Sequence, residues 1–356
     1  MKDSDRLFLE AAVALAGNGR FTCAPNPAVG CVIVRDGLIV GRGFHMRPGE
    51  GHAEVEAIRS VAGDVRGTTV YVSLEPCAFE GRTPACAKTL IAEQVERVVI
   101  AATDPHPRVS GEGIRLLREA GITVDVVVQP EALELIRGYR SRVEIGRPFV
   151  RIKSASSLDG GTALANGDSQ WITSSAARAD VQYWRARSDA IITGIGTVLA
   201  DDPALTVRDH SAEAPVRVVL DRRLRIAPKA QILTDSYPSL IVHNADSEPS
   251  IEQAEGVMTE FLARDTSDLE GLLTELGDRG CNEVLLEAGA ELVGSFVAQE
   301  LWDEWVAYVA PAVMGGDARN LITSTFAEMP DVPRGKIVDV QPIGEDVRIT
   351  MVPETQ

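Results

Sequence analysis

Apolar positions along this chain alternate between helical and strand-like spacing. "DRLFLEAAVALAG" sets Leu7, Ala11 and Leu15 at helical spacing and predicts an opening helix with Ser4 or Asp5 as N-cap. "AVGCVIV" and "LIVGRGF" read as strands around a turn at Asp36-Gly37, the strongest short hairpin signal. "HAEVEAIRSVA" predicts a helix, and "TTVYVSL" and "RVVIAAT" predict buried strands rich in β-branched residues. A helix near 112–120, the strand "ITVDVVV" and a closing helix over "EALELIRGYRSRVEIG" complete the first half. Strands alternating with helices indicate a layered α/β domain.

"GRPFVRIKSASSLDG" then restarts the chain with a new strand. The expected boundary lies between Gly146 and Pro148, giving domains 1–146 and 147–356. Beyond it, helices are expected near 175–187, 268–279 and 290–299. Strands are expected at "AIIT", "VRVVLD", "SLIVH", "EVLLEA", "WVAYVAP" and "KIVDVQPIGEDVRITMV". The length, 356 residues, allows two domains each with its own core.

Composition adds limits. The 45% hydrophobic and 24% charged content is that of a globular chain. No apolar run approaches the roughly 20 residues that span a bilayer. "MKDSDRLFLEAA" has acidic residues where a signal peptide is basic, so a cytoplasmic protein with no membrane partner is expected. Five Cys in such a chain point to metal ligands or plain thiols rather than disulfides. The net charge of −17 is uneven. The first 146 residues hold 17 basic against 19 acidic side chains, and the remainder 18 against 33. Residues 245–278 carry ten acids against Arg264 and read as a solvated acidic surface. This balance argues against a long nucleic-acid ligand, which needs a basic footprint, so no nucleic-acid partner is expected, but it leaves room for a small anion held by a few local cations.

Two stretches carry chemistry: "GHAEVEAI" at 51–58 and "LEPCAFEGRTPAC" at 74–86. His52, Cys77 and Cys86 are three zinc donors that leave a fourth position for water. Glu54, two residues beyond His52, is placed to move a proton rather than to ligate. The nucleobase-deaminase signature H-x-E…P-C-x-x-C describes this arrangement, except that eight residues separate the two Cys here. The bland alternative is a surface His with two structural thiols. With the longer gap, Cys23 or Cys31 could stand in for Cys86, although both lie before or on the "AVGCVIV" strand.

Those stretches, with "NPAVGCVIV" and "TDPHPRVSGEGI", resemble the deaminase half of the bifunctional riboflavin-biosynthesis deaminase–reductase family. "KSASSLDG", "SQWITS", "GTVLADDPALTVR", "VVLD", "LLEAGAEL" and "APAVMGG" resemble its reductase half, in order and over nearly the whole chain. The resemblance implies an α/β protein: a cytidine-deaminase-like three-layer domain, then a dihydrofolate-reductase-like domain. It implies zinc-dependent deamination of a phosphoribosylaminopyrimidine, then NADPH-dependent reduction of its ribose to a ribityl chain. Zn2+ and NADPH are the expected cofactors, and a homo-oligomer the expected assembly.

By matching motif, the resemblance makes His52, Cys77 and Cys86 the zinc ligands and Glu54 the proton shuttle. Asn26 and His45 match positions that line the deaminase pocket, and Arg82 matches a Lys or Arg on the ligand loop that could meet the substrate's phosphate. Ala155, Trp171, Thr197, Asp201 and the segment Gly289, Ala290, Glu291, Leu292, Val293, Gly294, Ser295 match cofactor positions. Ser169, Arg185, Leu205, Arg208 and Glu287 match substrate positions, and Lys153 lies on the matching strand. Arg208 has an independent case, because a bidentate guanidinium suits a phosphate in an acidic surround. The plain readings are a core aromatic for Trp171, a solvated Arg for Arg185 and a helix-ending turn at Asp201-Asp202-Pro203. The chain departs from the family at Ala78-Phe79-Glu80, Ala85, Gly161, Arg222 and Ala288. Arg222 could reach a cofactor phosphate or be an exposed turn residue.

Two other readings remain. One is a single-function zinc deaminase of another nucleobase or nucleotide with a non-catalytic second domain. The other is a regulatory protein that kept the fold and lost catalysis. The ordered reductase motifs count against the first, and the intact His52-Glu54-Cys77-Cys86 set against the second.

Overall fold

The computed structural model describes residues 3–79, 84–208, 212–247 and 258–354. Two compact units emerge, Met1–Arg147 and Pro148–Gln356. The first runs α1 (Asp3–Ala16), β1 (Gly30–Arg35), β2 (Leu38–Phe44), α2 (Ala53–Arg59), β3 (Thr69–Val72) and α3 (Cys86–Ala92). It continues with β4 (Arg97–Ile100), α4 (Glu112–Glu119), β5 (Thr123–Val126), α5 (Pro130–Leu135) and α6 (Arg137–Ile145). Its sheet has the order β2-β1-β3-β4-β5. β1 is antiparallel to both neighbours, whereas β3, β4 and β5 run parallel. Asp36 and Gly37 both take positive φ, 51° and 77°, as the hairpin's tight turn requires.

Both faces of this sheet are covered. Ile33, Val70 and Val72 pack under Ala53, Ala57, Leu90 and Leu117 of α2, α3 and α4. Val32, Tyr71 and Val99 pack against Leu9 and Ala12 of α1. Helix α2 approaches unusually closely at Gly43, where a Cβ would lie 2.3 Å from the Ala57 nitrogen. Only glycine lets the helix sit there, and that seat fixes where α2 begins.

Two local expectations change. Asp5 is not an N-cap: it lies inside α1, buried, and accepts from Tyr71 Oη at 2.8 Å and Arg97 Nη1 at 2.8 Å. Burial made its carboxylate worth more to an arginine than to a helix end. The closing helix is two helices, broken at Ile136 (φ −104°, ψ 10°), whose side chain is drawn into the core.

The second unit runs β6 (Phe149–Ser157), β7 (Gly161–Ala163), α7 (Ser175–Arg187), β8 (Ala190–Gly194), α8 (Ile195–Asp201) and β9 (Val216–Leu220). It continues with α9 (Gln231–Thr234), β10 (Ser239–His243), β11 (Thr259–Ala263), α10 (Leu269–Asp278), β12 (Glu283–Leu286) and α11 (Ala290–Ala298). It ends with β13 (Glu304–Ala310), β14 (Arg319–Asn320), β15 (Gly335–Ile343) and β16 (Asp346–Pro353). Nine strands form one sheet, β11-β10-β9-β8-β12-β6-β13-β16-β15. From β11 to β13 all neighbours are parallel, and β16 and β15 close it as an antiparallel hairpin. The parallel strands bury apolar side chains on both faces because helices cover both, with Arg151 of β6 and Arg217 of β9 as buried charged exceptions.

Strand β12 inserts between β8 and β6, so the chain winds outward in opposite directions from this point. Ligands of open α/β sheets bind at such a switch, beyond the carboxyl ends of the strands. Strand β11 was not expected, since it lies within the acidic run; Thr259 to Ala263 form an edge strand beside β10. The seven-residue helices α3 (Cys86–Ala92) and α8 (Ile195–Asp201) lie outside the helices that the sequence pattern predicts.

Candidate active sites

In the first unit three chain segments converge. His52 is the N-cap of α2 and Cys86 opens α3; both helices lie on one face of the sheet. Cys77 follows β3. The donor atoms of His52, Cys77 and Cys86 all lie within 4.8 Å of one another. His52 Nδ1 is 3.2 Å from Cys86 Sγ and 3.5 Å from Cys77 Sγ, and the Cys86 amide donates to Cys77 Sγ at 3.2 Å. One imidazole and two sulfurs converging on a single point suit tetrahedral zinc with one place left over. Cys23 and Cys31 are buried, Cys31 within reach of the Glu54 charge, but neither sulfur is part of this three-donor group.

The electrostatics fit a metal-binding thiolate. Cys77 is lowered to about 4, first by its hydrogen bond to Cys86, with His52 assisting against burial. Cys86 is pushed up by the same bond and by burial. His52 is raised, chiefly by its bond to Cys77. Glu54 is buried, with only 3% of its surface exposed; burial, then the nearby Cys77, pushes its carboxyl up, and it bonds the Cys86 thiol.

Asn26 and His45 lie beside this group. His45 Nδ1 is 3.1 Å from the Gly51 carbonyl, which can only accept, so neutral His45 carries its proton there. Its Nε2 then accepts from Asn26 Nδ2 at 2.9 Å. Both ring nitrogens are therefore engaged, and His45 orients Asn26, leaving the Asn26 oxygen to accept from a ligand. The His45 ring lies edge-on to His52, 5.3 Å between centroids. Arg82 and Glu80 lie outside the described residues.

In the second unit the switch point gathers Lys153, Arg185 and Glu287. Glu287 follows β12, and its amide donates to Ile192 of β8. Arg185 of α7 reaches it with both arms, Nε to Oε1 at 2.6 Å and Nη2 to Oε2 at 3.0 Å. Lys153 Nζ of β6 is 4.0 Å from Glu287 Oε2. Burial lowers Lys153, and Arg185 adds to it. Burial favours a raised Glu287, but Arg185 and Lys153 outweigh it and hold the carboxyl low. Arg185 is thus no solvated helix residue. It is committed to Glu287 and, through Nη1, to the Thr206 carbonyl at 3.2 Å.

Residues 204–208 are pinned from three sides. Arg217 Nη1 donates to the Ala204 carbonyl at 3.1 Å, Arg185 holds Thr206, and the Arg208 amide donates to Gln182 Oε1 at 2.9 Å. Leu205 packs into the core with φ 48°, a strained backbone value for a branched residue that the clamps sustain. The Arg208 side chain stands exposed. Arg217 and Gln182 escaped the sequence reading; the available signal was a charge set inside the apolar strand "VRVVL".

Gly289 caps α11, and Thr197 Oγ1 lies 3.9 Å from where a Gly289 Cβ would stand. The α11 amino end therefore opens beside Thr197 at the switch point, a fit for a nucleotide's phosphate oxygens. Ala155 lies near the end of β6, and Ser169 is half-buried. Trp171 is no core aromatic: it is 69% exposed, with Arg178 stacked 4.4 Å from its ring. Ala290, Glu291 and Leu292 form the first turn of α11. Val293 and Gly294 are buried in it, and Ser295 Oγ donates to the Glu291 carbonyl. Asp201 ends α8, with Asp202 in the left-handed region, and Arg222 lies exposed in the turn after β9.

Comparison with known proteins agrees in both halves. Residues 2–102 match the cytidine and deoxycytidylate deaminase zinc-binding region, and residues 148–349 the RibD C-terminal domain. The chain is 43% identical to riboflavin biosynthesis protein RibD of Escherichia coli, over 98% of this chain and 99% of that one. Form 2 of Acinetobacter baumannii RibD superposes with TM-score 0.91 at 41% identity, covering 99% of each chain. The diaminohydroxyphosphoribosylaminopyrimidine deaminase/5-amino-6-(5-phosphoribosylamino)uracil reductase of Thermotoga maritima gives 0.91 at 34%, covering 98% of this chain and 99% of that one.

Proposed function

This chain belongs to the RibD family of riboflavin-biosynthesis enzymes, and on that premise we propose how its own residues divide the two reactions. It is a bifunctional enzyme that deaminates a phosphoribosylaminopyrimidine and reduces the product, with zinc and NADPH as cofactors. Deamination falls to residues 1–146 and reduction to 147–356.

The observation that carries the first assignment is the convergence of His52, Cys77 and Cys86 beside buried Glu54. Zinc held there supplies Lewis acidity that makes water a nucleophile at neutral pH. Glu54 takes the proton from the attacking water and delivers it to the departing nitrogen. The C–O bond forms, the C–N bond breaks and ammonia leaves. Asn26, oriented by His45, accepts from the pyrimidine. In the second unit bound NADPH would supply hydride for opening the ribose to the ribityl chain: the new C–H bond replaces the ring C–O bond, and a proton goes to the released oxygen. Gly289 to Ser295, Thr197 and Trp171 hold the nucleotide. Lys153, Glu287 and the 205–208 loop hold the substrate. Incubating the protein with the pyrimidine intermediate should give the deaminated product alone, and the ribityl product once NADPH is added. Release of no ammonia by zinc-loaded protein would overturn the reading.

Because Arg185 is tied to Glu287, the phosphate of the reductase substrate falls to exposed Arg208. Arg208→Ala should raise that substrate's KM. A charged hydrogen bond is worth about 1.5–3 kcal/mol, so kcat/KM for reduction should fall about tenfold to a hundredfold. Lys should rescue only in part, since it lacks the fork. A collapse of NADPH binding with KM unchanged would instead put Arg208 in the cofactor site.

A homo-oligomer built on the β15 edge is supported by Ile337, Val338 and Val340, each more than half exposed on a strand that, among the described residues, pairs only with β16. Sedimentation should show a dimer or larger, reverting toward monomer in Val338→Lys/Val340→Lys. A monomer for the parent protein at micromolar concentration would end this proposal. A cytoplasmic location is supported by five free cysteines. No helix among the described residues is long and apolar enough to cross a membrane. Cell fractionation that recovers the protein outside the cytosol would contradict the location.

A further inference from the structure

Phe79 stands two residues beyond Cys77, so its backbone lies within about 7 Å of that ligand's. Its half-buried ring serves as a platform. His106 packs against it with centroids 6.1 Å apart, and the Arg108 guanidinium carbon lies 4.8 Å from its centroid. That is a cation–π seat. Arg108 is itself exposed, and no described carboxylate pairs with it. Elsewhere in the same unit Arg59, Arg97 and Arg115 are each tied to acids. A guanidinium with no acidic partner among the described residues, seated on a ring two residues from the ligand Cys77 in a chain with net charge −17, is an available anion site.

The segment bearing Arg108 is built onto the ligand segment itself. Glu75, next but one to Cys77, is 3% exposed. Its carboxylate accepts from the amides of Asp104 at 3.3 Å, Gly111 at 3.0 Å and Ile114 at 3.2 Å. Asp104 in turn accepts from the His106 amide at 2.8 Å and from Tyr139 Oη at 3.2 Å. His106 Nδ1 accepts from the Arg108 amide at 3.2 Å. Arg108 is therefore held relative to Cys77 from two sides, by Glu75 through the backbone and by Phe79 through its ring. Guanidinium stacked on an aromatic face keeps its N–H edge free for bidentate contact with phosphate.

We propose that Arg108, seated on Phe79, binds the phosphate of the deaminase substrate. This rests on the deaminase reading given above. The test compares the phosphorylated pyrimidine with its riboside lacking phosphate, in parent protein, Arg108→Ala, Arg108→Lys and Phe79→Ala, with zinc content measured throughout. Arg108→Ala should raise KM for the phosphorylated substrate about tenfold or more, with kcat and zinc unchanged. It should leave the riboside's parameters alone. Lys should restore part of the loss, and Phe79→Ala should reproduce part of it. An unchanged KM in Arg108→Ala, or an equal loss on both substrates, overturns the proposal while the parent's activity still supports the deaminase reading. A zinc-loaded parent that deaminates neither compound overturns that reading itself.

Discussion

Glu54→Gln should lose deamination by at least ~10²-fold, and by up to ~10⁴-fold, the range for a positioned acid–base group. Gln fills the volume of a side chain that is almost wholly buried, so the fold and about one zinc per chain should persist. It cannot take a proton from water and pass it on. Cys77→Ala is the informative comparison: it removes a ligand, so zinc content and deamination should fall together. In Glu54→Gln, zinc should stay while activity goes. Reduction should continue in both variants when they are given the deaminated intermediate. Near-normal ammonia release by Glu54→Gln would show that another base does the work.

Glu287→Gln should cost both stability and reduction in the second unit. Its carboxylate is the counter-charge to Arg185 at 2.6 Å and Lys153 at 4.0 Å, and all three side chains are largely buried. Removing one partner of a buried ion pair leaves an uncompensated charge and typically costs about 3–5 kcal/mol. All four Trp (171, 184, 302, 305) lie in this unit, so denaturation followed by Trp fluorescence reads it alone. The midpoint should drop and ribityl product should be lost, while deamination continues. Adding Lys153→Met should recover part of the stability, by removing an orphaned cation, but not the activity. A Glu287→Gln protein with unchanged midpoint and unchanged reduction would mean the trio is not coupled.

Much of the architecture was legible because periodicity and turn chemistry are local. The Asp36-Gly37 hairpin, the β-branched strands "TTVYVSL" and "RVVIAAT", and the helix at 175–187 need no distant partner to declare themselves. The His52, Glu54 and Cys77 motifs were equally visible, since their spacing is that of one helix start and one strand end. Asp5 misled for the opposite reason. An acid at a helix start reads as a cap until Arg97, 92 residues away, claims it. The break at Ile136 likewise depends on a core that the local pattern cannot show.

The sequence by itself determined the elements, the donor types and the order of two α/β halves, because each is written in residues near one another along the chain. Only the tertiary structure decided that Cys86, rather than Cys23 or Cys31, joins His52 and Cys77, since two helix starts must be brought onto one sheet face. It alone turned Arg185 from a surface residue into the partner of Glu287, by setting β12 between β8 and β6. It alone seated Arg108 on Phe79. Burial and charge pairing act through space. A guanidinium takes whichever carboxylate or ring the fold delivers to it, and nothing in the residues beside it says which that will be.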